Sequence, residues 1–251
     1  MEEIEKVIIL KTWNEGIGSV YERLMLYRFF LKLNEKYKFK SVLEYNCPIT
    51  KGYDNLAFMG KSFVTIADSN IELIKNNWKF ENLPVFSSFD KLEKYDLVWN
   101  FAIVQLQPNV IKEMLNFTNK YILIFVPNVL NFGAPIHFLY HFITRQKCNH
   151  AERGKFFVRT KRGLMRLAKS YGINILKCDY IDMPILPDIG FSRKELKQLF
   201  GIKEKKKDDI PNFDDSLFKK IGFLERMNLP DFIKTVISHH IYLFGEKLNE
   251  R

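Results

Sequence analysis

Cysteine, glycine and proline are scarce in this chain. Its 251 residues include three cysteines, twelve glycines and nine prolines. Cys47, Cys148 and Cys178 stand far apart and form no CxxC pair, which predicts free thiols in a reducing compartment rather than a zinc site or a disulfide framework. The low content of glycine and proline also argues against a disordered chain. We expect no metal.

Targeting and membrane-spanning segments are also missing from the pattern. Residues 1–5 are acidic rather than basic, unlike the start of a signal peptide. The most apolar stretch, 129–143, is interrupted by Asn131, His137 and His141, and no run reaches the roughly 18 residues of a membrane span. We therefore expect a cytoplasmic protein without a membrane span.

Basic residues outnumber acidic residues in this chain. Lysine and arginine number 39 against 29 acidic residues, which gives a net charge of +10. This excess permits an anionic partner such as RNA, a phosphorylated metabolite or an anionic membrane surface. The segment 153–166 is basic with Phe156 and Phe157 interleaved, which suits RNA or a phosphate-bearing acceptor. A solvated helix face would show the same pattern.

Short apolar runs predict buried strands along most of the chain. They are continuous rather than alternating, as in parallel strands covered on both faces. The predicted strands are 40–44, 63–67, 83–86, 95–101, 121–126, 173–180 and 239–244. Between them, Ser19 and Glu22 form a capping box that predicts a helix start, and Thr160 predicts another.

This succession predicts an α/β fold. We expect a Rossmann-like, doubly wound, mostly parallel seven-stranded sheet with helices on both faces. Residues 1–251 form one domain in this interpretation, and residues 181–236 form a helical insertion before the last strand, because so long a connection is not a simple loop. The insertion is suited to act as a lid. Its charged run 203–209 is interpreted as a solvated connector.

Acidic residues end the first two predicted strands of the sheet. Val42-Leu43-Glu44 leads into Tyr45-Asn46-Cys47, with Gly52 a few residues on, and the second strand leads into Asp68-Ser69. In this order the chain resembles the class I S-adenosylmethionine (SAM)-dependent methyltransferases, from about Ser19 to Tyr180 and again at the final strand. A nicotinamide-binding protein would instead carry GxGxxG directly after the first strand.

The resemblance implies a SAM site at the carboxyl ends of the strands. Asp68 would accept hydrogen bonds from the ribose hydroxyls, and Glu44 would orient the amino-acid end of the cofactor. Further contacts implied by position are Tyr45, Asn46, Cys47, Gly52, Asn55, Ser69, Ser88, Asp90, Asn100, Phe101, Tyr21 and Arg23. Two structural alternatives stay open, because Asp68 can cap the next helix and Glu44 can be a buried, paired carboxylate.

The turn after the first strand departs from the family pattern. Glycines usually stand near positions 46 and 48, where this chain has Asn46 and Pro48, and only Gly52 remains. Asparagine tolerates left-handed backbone better than most residues, so Asn46 is expected to let the chain turn. Pro48 has no backbone N–H to donate.

The methyl acceptor leaves little trace in the sequence, because positioning does most of the work in methyl transfer. His137 and His141 follow the fifth strand, where relatives build the acceptor pocket, and either is a candidate base. We expect transfer to a small-molecule or lipid-like acceptor. The alternatives are an RNA methyltransferase, favoured by the charge, or a catalytically inactive cofactor-binding or scaffold protein of the same fold.

Overall fold

The computed structural model describes residues 2–13, 17–46, 53–58, 61–67, 85–86, 93–144, 154–184 and 213–248. They include most of the predicted strands and both ends of the predicted insertion 181–236. The charged run 203–209 lies outside them, and so does a capping box at Ser192 and Glu195 that predicts a helix in the insertion.

The described strands form one mixed sheet. Their bounds are β1 Ser41–Tyr45, β2 Phe63–Ala67, β3 Val85–Phe86, β4 Tyr95–Phe101, β5 Thr118–Pro127, β6 Ile173–Ile181 and β7 His240–Lys247. Their order across the sheet is β3-β2-β1-β4-β5-β7-β6. The strand β1 is parallel to both β2 and β4, and β4 is parallel to β5. The sheet is mixed because β7 pairs with β5 antiparallel, from Tyr121↔Glu246 to Pro127↔His240.

Helices lie before, between and after several of these strands along the sequence. In the described ranges they are α1 Glu3–Thr12, α2 Ile17–Tyr37, α3 Val110–Asn116, α4 Gly133–Thr144, α5 Lys161–Ser170, α6 Asp215–Ile221 and α7 Asp231–Ile237. Short 3-10 turns occupy Tyr53–Ala57, Phe156–Arg159 and Leu224–Arg226. None of the helices in these ranges is long and apolar enough to cross a membrane.

The sheet is covered on both faces, as the continuous apolar strands predict. Successive side chains of a strand point to opposite faces. Val98 and Ile122 accordingly lie in a cluster that contains Ile111 of α3 and Leu164 of α5. Trp99 belongs to the other set, where its ring lies 4.7 Å from that of Phe30 on α2. This arrangement confirms the Rossmann-like α/β fold.

The chain divides into two compact units. The sheet unit comprises residues 27–129, 151–180 and 240–251, and the helical unit comprises 1–26, 130–150 and 181–239. The helical unit thus contains the predicted insertion together with the N-terminal segment and α4. Whether the insertion acts as a lid stays a prediction.

Several predicted boundaries need correction. The helix α1 was not predicted, and α2 begins at Ile17, so Ser19 lies inside the helix and does not cap it. The sequence predicts a helix from about Asp214 to just before Pro230, but α6 ends at Ile221 and Pro230 precedes α7 as its N-cap residue. Proline is well tolerated at the start of a helix, because the first N–H groups have no intrahelical partner.

Candidate active site at the strand ends

The candidate site follows from the order of the strands. From β1 the chain proceeds through β2 to β3 on one side, and then returns to β4 on the other side of β1. In an open parallel sheet, the carboxyl ends at such a reversal leave a crevice in which ligands bind. Here the reversal lies between β1 and β4, which are paired at Glu44↔Trp99. Tyr45, Asn46, Asn100 and Phe101 therefore lie at the crevice.

The chain turns after β1 without glycine. Asn46 has a φ of 58°, the left-handed conformation predicted for it. The fully buried Asn100 holds this turn, because its Nδ2 donates to the carbonyl oxygens of Tyr45 at 2.6 Å and Asn46 at 3.1 Å. Its Oδ1 accepts from the N–H of Ile103 at 3.2 Å. One amide thus fixes the chain after β1 and the chain after β4 together.

Glu44 is held inside the sheet unit. It is fully buried, and its Oε2 accepts a hydrogen bond from Nδ2 of Asn55, which lies in the 3-10 turn Tyr53–Ala57. The Oδ1 of Asn55 in turn accepts from the indole Nε1 of Trp99 at 3.0 Å. Glu44 therefore positions the segment that follows β1. This geometry favours the alternative of a buried, paired carboxylate for its side chain.

The side chain of Tyr45 lies in the core. Its ring is 5.9 Å from that of Phe117, and its hydroxyl donates to Oε2 of Glu113 at 2.6 Å. Burial raises the pKa of this phenol, and the hydrogen bond to Glu113 raises it further. Because the ring is engaged there, what Tyr45 offers at the strand end is its backbone.

The ring of Phe101 contacts His240, a histidine that was not predicted to lie at the strand ends. The Phe101 ring lies 4.8 Å from His240 and 5.6 Å from Phe125. His240 is the first residue of β7, and it pairs with Pro127, the last residue of β5. The antiparallel direction of β7 therefore places its start beside the carboxyl ends of β4 and β5. The only sequence signal was a histidine directly before an apolar run.

Part of the predicted site lies outside the described residues. This applies to Cys47, Gly52, Asp68, Ser69, Ser88 and Asp90. The residue before Asp68 is Ala67, which ends β2 opposite Tyr45. His137 and His141 belong to α4, but their side chains are not among those described. The structure therefore places the crevice and leaves the predicted ribose contact and bases as predictions.

Tyr21 and Arg23 lie in the helical unit. Arg23 is buried and forms an ion pair with Oε1 of Glu22 at 2.9 Å. The ring of Tyr21 is buried against Phe218, with centroids 5.2 Å apart. Burial raises the pKa of its phenol, as do the nearby carboxylates of the helical unit.

A polar cluster around Tyr21 was missed by the sequence analysis. The phenol is hydrogen-bonded to Glu225, whose Oε2 also accepts from the N–H of Met183 at 2.7 Å. Next to Met183, the buried Asp182 lies with its Oδ2 3.1 Å from Nδ1 of His239. Burial raises the pKa of Glu225 to about 7, and the charge of Asp182 raises it in the same direction. Because these residues are far apart in the sequence, no local sequence pattern predicts the cluster.

Comparisons with known proteins agree on the architecture. No family model matches the chain, and no curated protein does either. Among solved structures, the magnesium protoporphyrin IX methyltransferase from Synechocystis PCC 6803 with bound SAH is similar over 92% of this chain and 85% of its own, with 9% identity and a TM-score of 0.51.

A SAM-dependent methyltransferase from Archaeoglobus fulgidus is similar over 96% of this chain and 99% of its own, with 15% identity and a TM-score of 0.50. Identities this low compare folds rather than activities. Together with the strand order and the crevice between β1 and β4, they lead to one conclusion. The chain has the fold of the class I SAM-dependent methyltransferases.

Proposed function

We propose that this protein is a SAM-dependent methyltransferase that acts on a small-molecule or lipid-like acceptor. The observation that carries the proposal is the crevice between β1 and β4, where Asn100 binds the carbonyls of Tyr45 and Asn46. This contact maintains a tight, left-handed turn at the point where class I methyltransferases usually place glycine. Asn46 therefore keeps the left-handed backbone that glycine usually provides at this position.

The cofactor contacts proposed here are those that the resemblance implies near this crevice. When bound, SAM would supply a methyl group from its sulfonium, whose sulfur would become a neutral thioether once the methyl group is transferred to the acceptor. Asn46 and the backbone of Tyr45 would line the first turn, and Asn100 and Phe101 would line the neighbouring strand end. Asp68, directly after β2, would accept the ribose hydroxyls, while Glu44 would act indirectly by holding Asn55.

The chain's task in the reaction is to orient the acceptor and, where needed, to remove its proton. A nucleophile that carries a proton needs a base within hydrogen-bonding reach. His137 and His141 on α4 remain proposed bases. His240 joins them because its ring packs on Phe101 at the strand ends. Whichever histidine acts would take the proton of the acceptor and release it to water.

The helical unit itself carries an exposed apolar surface on α4. Among the side chains of α4 that the structure describes, four are apolar and exposed, namely Ile136, Leu139, Phe142 and Ile143. Exposed apolar patches of this kind commonly mark binding sites for apolar partners. The helix contains no charged residue that would favour an ionic acceptor.

Calorimetric titration with SAM, with SAH and with NAD as a control tests cofactor binding. We expect micromolar binding of the first two and none of NAD. Asp68→Ala should weaken binding at least about tenfold, because a charged hydrogen-bond acceptor is lost. Glu93→Ala, which removes an exposed carboxylate just before β4, is the matched control and should leave binding unchanged.

Transfer of a labelled methyl group separates the acceptor classes. Incubation with labelled SAM and a cell extract, followed by separate extraction of lipids, small molecules and RNA, shows where the label goes. Label in the lipid or small-molecule fraction supports the proposal, and label confined to RNA supports the alternative of an RNA methyltransferase. If neither SAM nor SAH binds, the chain is an inactive protein of the same fold.

A further inference from the structure

Three apolar side chains are exposed on two adjacent loops of the sheet unit. Phe156 is 63% exposed, Phe157 is 50% exposed, and Leu106, in the loop after β4, is 40% exposed. The loops are joined at Gln105, whose carbonyl accepts from the N–H of Lys155 at 2.9 Å. Gly154 packs so tightly there that an added Cβ would lie 2.5 Å from the same carbonyl oxygen. The loops therefore present the three side chains from one anchored site.

Cations border these side chains. Lys155, Arg162 and Arg166 are exposed, and the guanidinium of Arg166 lies 5.6 Å from the centre of the Phe157 ring. From Gly154 to Cys178 the sequence has seven lysines and arginines and no acidic residue. The next carboxylate, Asp179, already lies 3.9 Å from Lys161 and 4.0 Å from Lys177. Among the described residues, no carboxylate forms an ion pair with Lys155, Arg162 or Arg166.

The fold of α5 keeps the cations outward. Leu164 and Ala168 are buried on the opposite side of this helix, and Oγ1 of Thr160 caps its start by accepting from the N–H of Gly163 at 3.1 Å. Arg162 and Arg166 are four residues apart and therefore neighbours along the exposed face. If this helix packed on the sheet with its opposite face, the charges of Arg162 and Arg166 would be buried, which is costly.

We propose that Leu106, Lys155, Phe156, Phe157, Arg162 and Arg166 form a docking surface for an anionic lipid bilayer. The apolar side chains would enter the headgroup region while the cations bind lipid phosphates, the combination that holds peripheral proteins on membranes. RNA fits less well, since Leu106 offers no ring for stacking and Arg166 already covers the ring of Phe157. The inference goes beyond methyl transfer and can be tested without it.

Vesicle flotation of the full chain tests the proposal. We expect binding to vesicles of phosphatidylcholine with added phosphatidylglycerol, weakened by salt, and little binding to phosphatidylcholine alone. Arg162→Glu/Arg166→Glu should lower partitioning at least about 20-fold, because each lost cation near a surface weakens binding severalfold. Lys32→Glu/Lys36→Glu, also exposed and four residues apart on α2, makes the same charge change and should reduce it much less.

The apolar part of the surface has its own variant. Phe156→Ser/Phe157→Ser should reduce binding while leaving the thermal midpoint close to that of the wild type, because both rings are at least half exposed. Equal binding to both vesicle types would overturn the proposal, as would equal losses in the α5 and α2 variants. Binding of a single-stranded RNA oligonucleotide without vesicle binding would overturn it too. If the α5 variant fails to fold, lipid selectivity and the phenylalanine variant decide.

Discussion

At the scale of single residues, two buried asparagines, Asn55 and Asn100, hold the segments that follow β1 and β4. Asn100 holds the backbone on both sides of the crevice through both atoms of its amide. Asn55 links Glu44 to Trp99 by donating to one and accepting from the other. An amide can do both at once, which a hydroxyl or a carboxylate in fixed geometry does less well.

Asn55→Ala should destabilise the protein by about 3 kcal/mol. The substitution leaves the buried carboxylate of Glu44 and the buried indole N–H of Trp99 each without the partner that Asn55 provides. Urea unfolding monitored by tryptophan fluorescence measures the change. Asn119→Ala is the matched control, because the amide of Asn119 is exposed and makes only a 3.4 Å contact to the carbonyl of Lys94. Equal midpoints for the two variants would contradict the described network.

At the scale of elements, α5 shows how a single glycine sets the approach of two segments. The 3-10 turn Phe156–Arg159 runs into α5 through Thr160, and Gly163 lies against the turn. A Cβ at position 163 would lie 1.7 Å from the carbonyl oxygen of Phe157. Because that neighbour is backbone, the clash cannot be relieved by a side-chain rotation.

Gly163→Ala should therefore cost about 2–3 kcal/mol, even though alanine is the better helix former. Gly172→Ala is the comparison, since Gly172 has a φ of 72° but nothing within 4 Å of an added Cβ. It should cost about 1 kcal/mol, the strain of a left-handed alanine alone. Chemical denaturation of both variants gives the two values. A Gly163→Ala protein as stable as the wild type would mean that the turn does not pack on α5 in this way.

At the scale of the whole molecule, stability should depend on pH through Glu225. Burial and the charge of Asp182 disfavour its ionised form in the folded state, while Lys234 and the backbone N–H of Met183 oppose them. The folded pKa of about 7 lies above the ordinary value of 4.5. With respect to Glu225, the free energy of unfolding is therefore highest below the ordinary pKa of 4.5. It falls as the pH rises until the pH has passed about 7.

Glu225→Gln should remove this dependence, because glutamine keeps an acceptor for Met183 and carries no charge. Relative to the variant, the wild type should lose stability between about pH 5 and about pH 8. Thermal unfolding of both proteins at the two pH values measures the difference. Glu35→Gln, on the exposed face of α2, serves as the control substitution. A constant difference between wild type and Glu225→Gln would show that the carboxyl group is ionised throughout.

Much of the sheet was predictable, because buried parallel strands leave continuous apolar runs. The runs at 63–67 and 95–101 match β2 and β4. The turn after β1 was predictable for a similar reason, since Asn46 tolerates the φ of 58° that it adopts. The helix α1 was not predicted, although its sequence has acidic residues in the first turn, Glu3 and Glu5, and Lys11 in the last.

The sequence by itself determined the α/β class, the strand order along the chain and the turn at Asn46, because these depend on local periodicity and backbone preference. Only the tertiary structure decided the partners of Glu44, the place of His240 beside Phe101 and the cluster of Tyr21, Glu225 and Asp182. Each of these joins residues that are distant along the chain. These contacts depend on the direction of the strands and on how the helices and turns pack. A local sequence pattern reports the period of an element, and it reports neither of these.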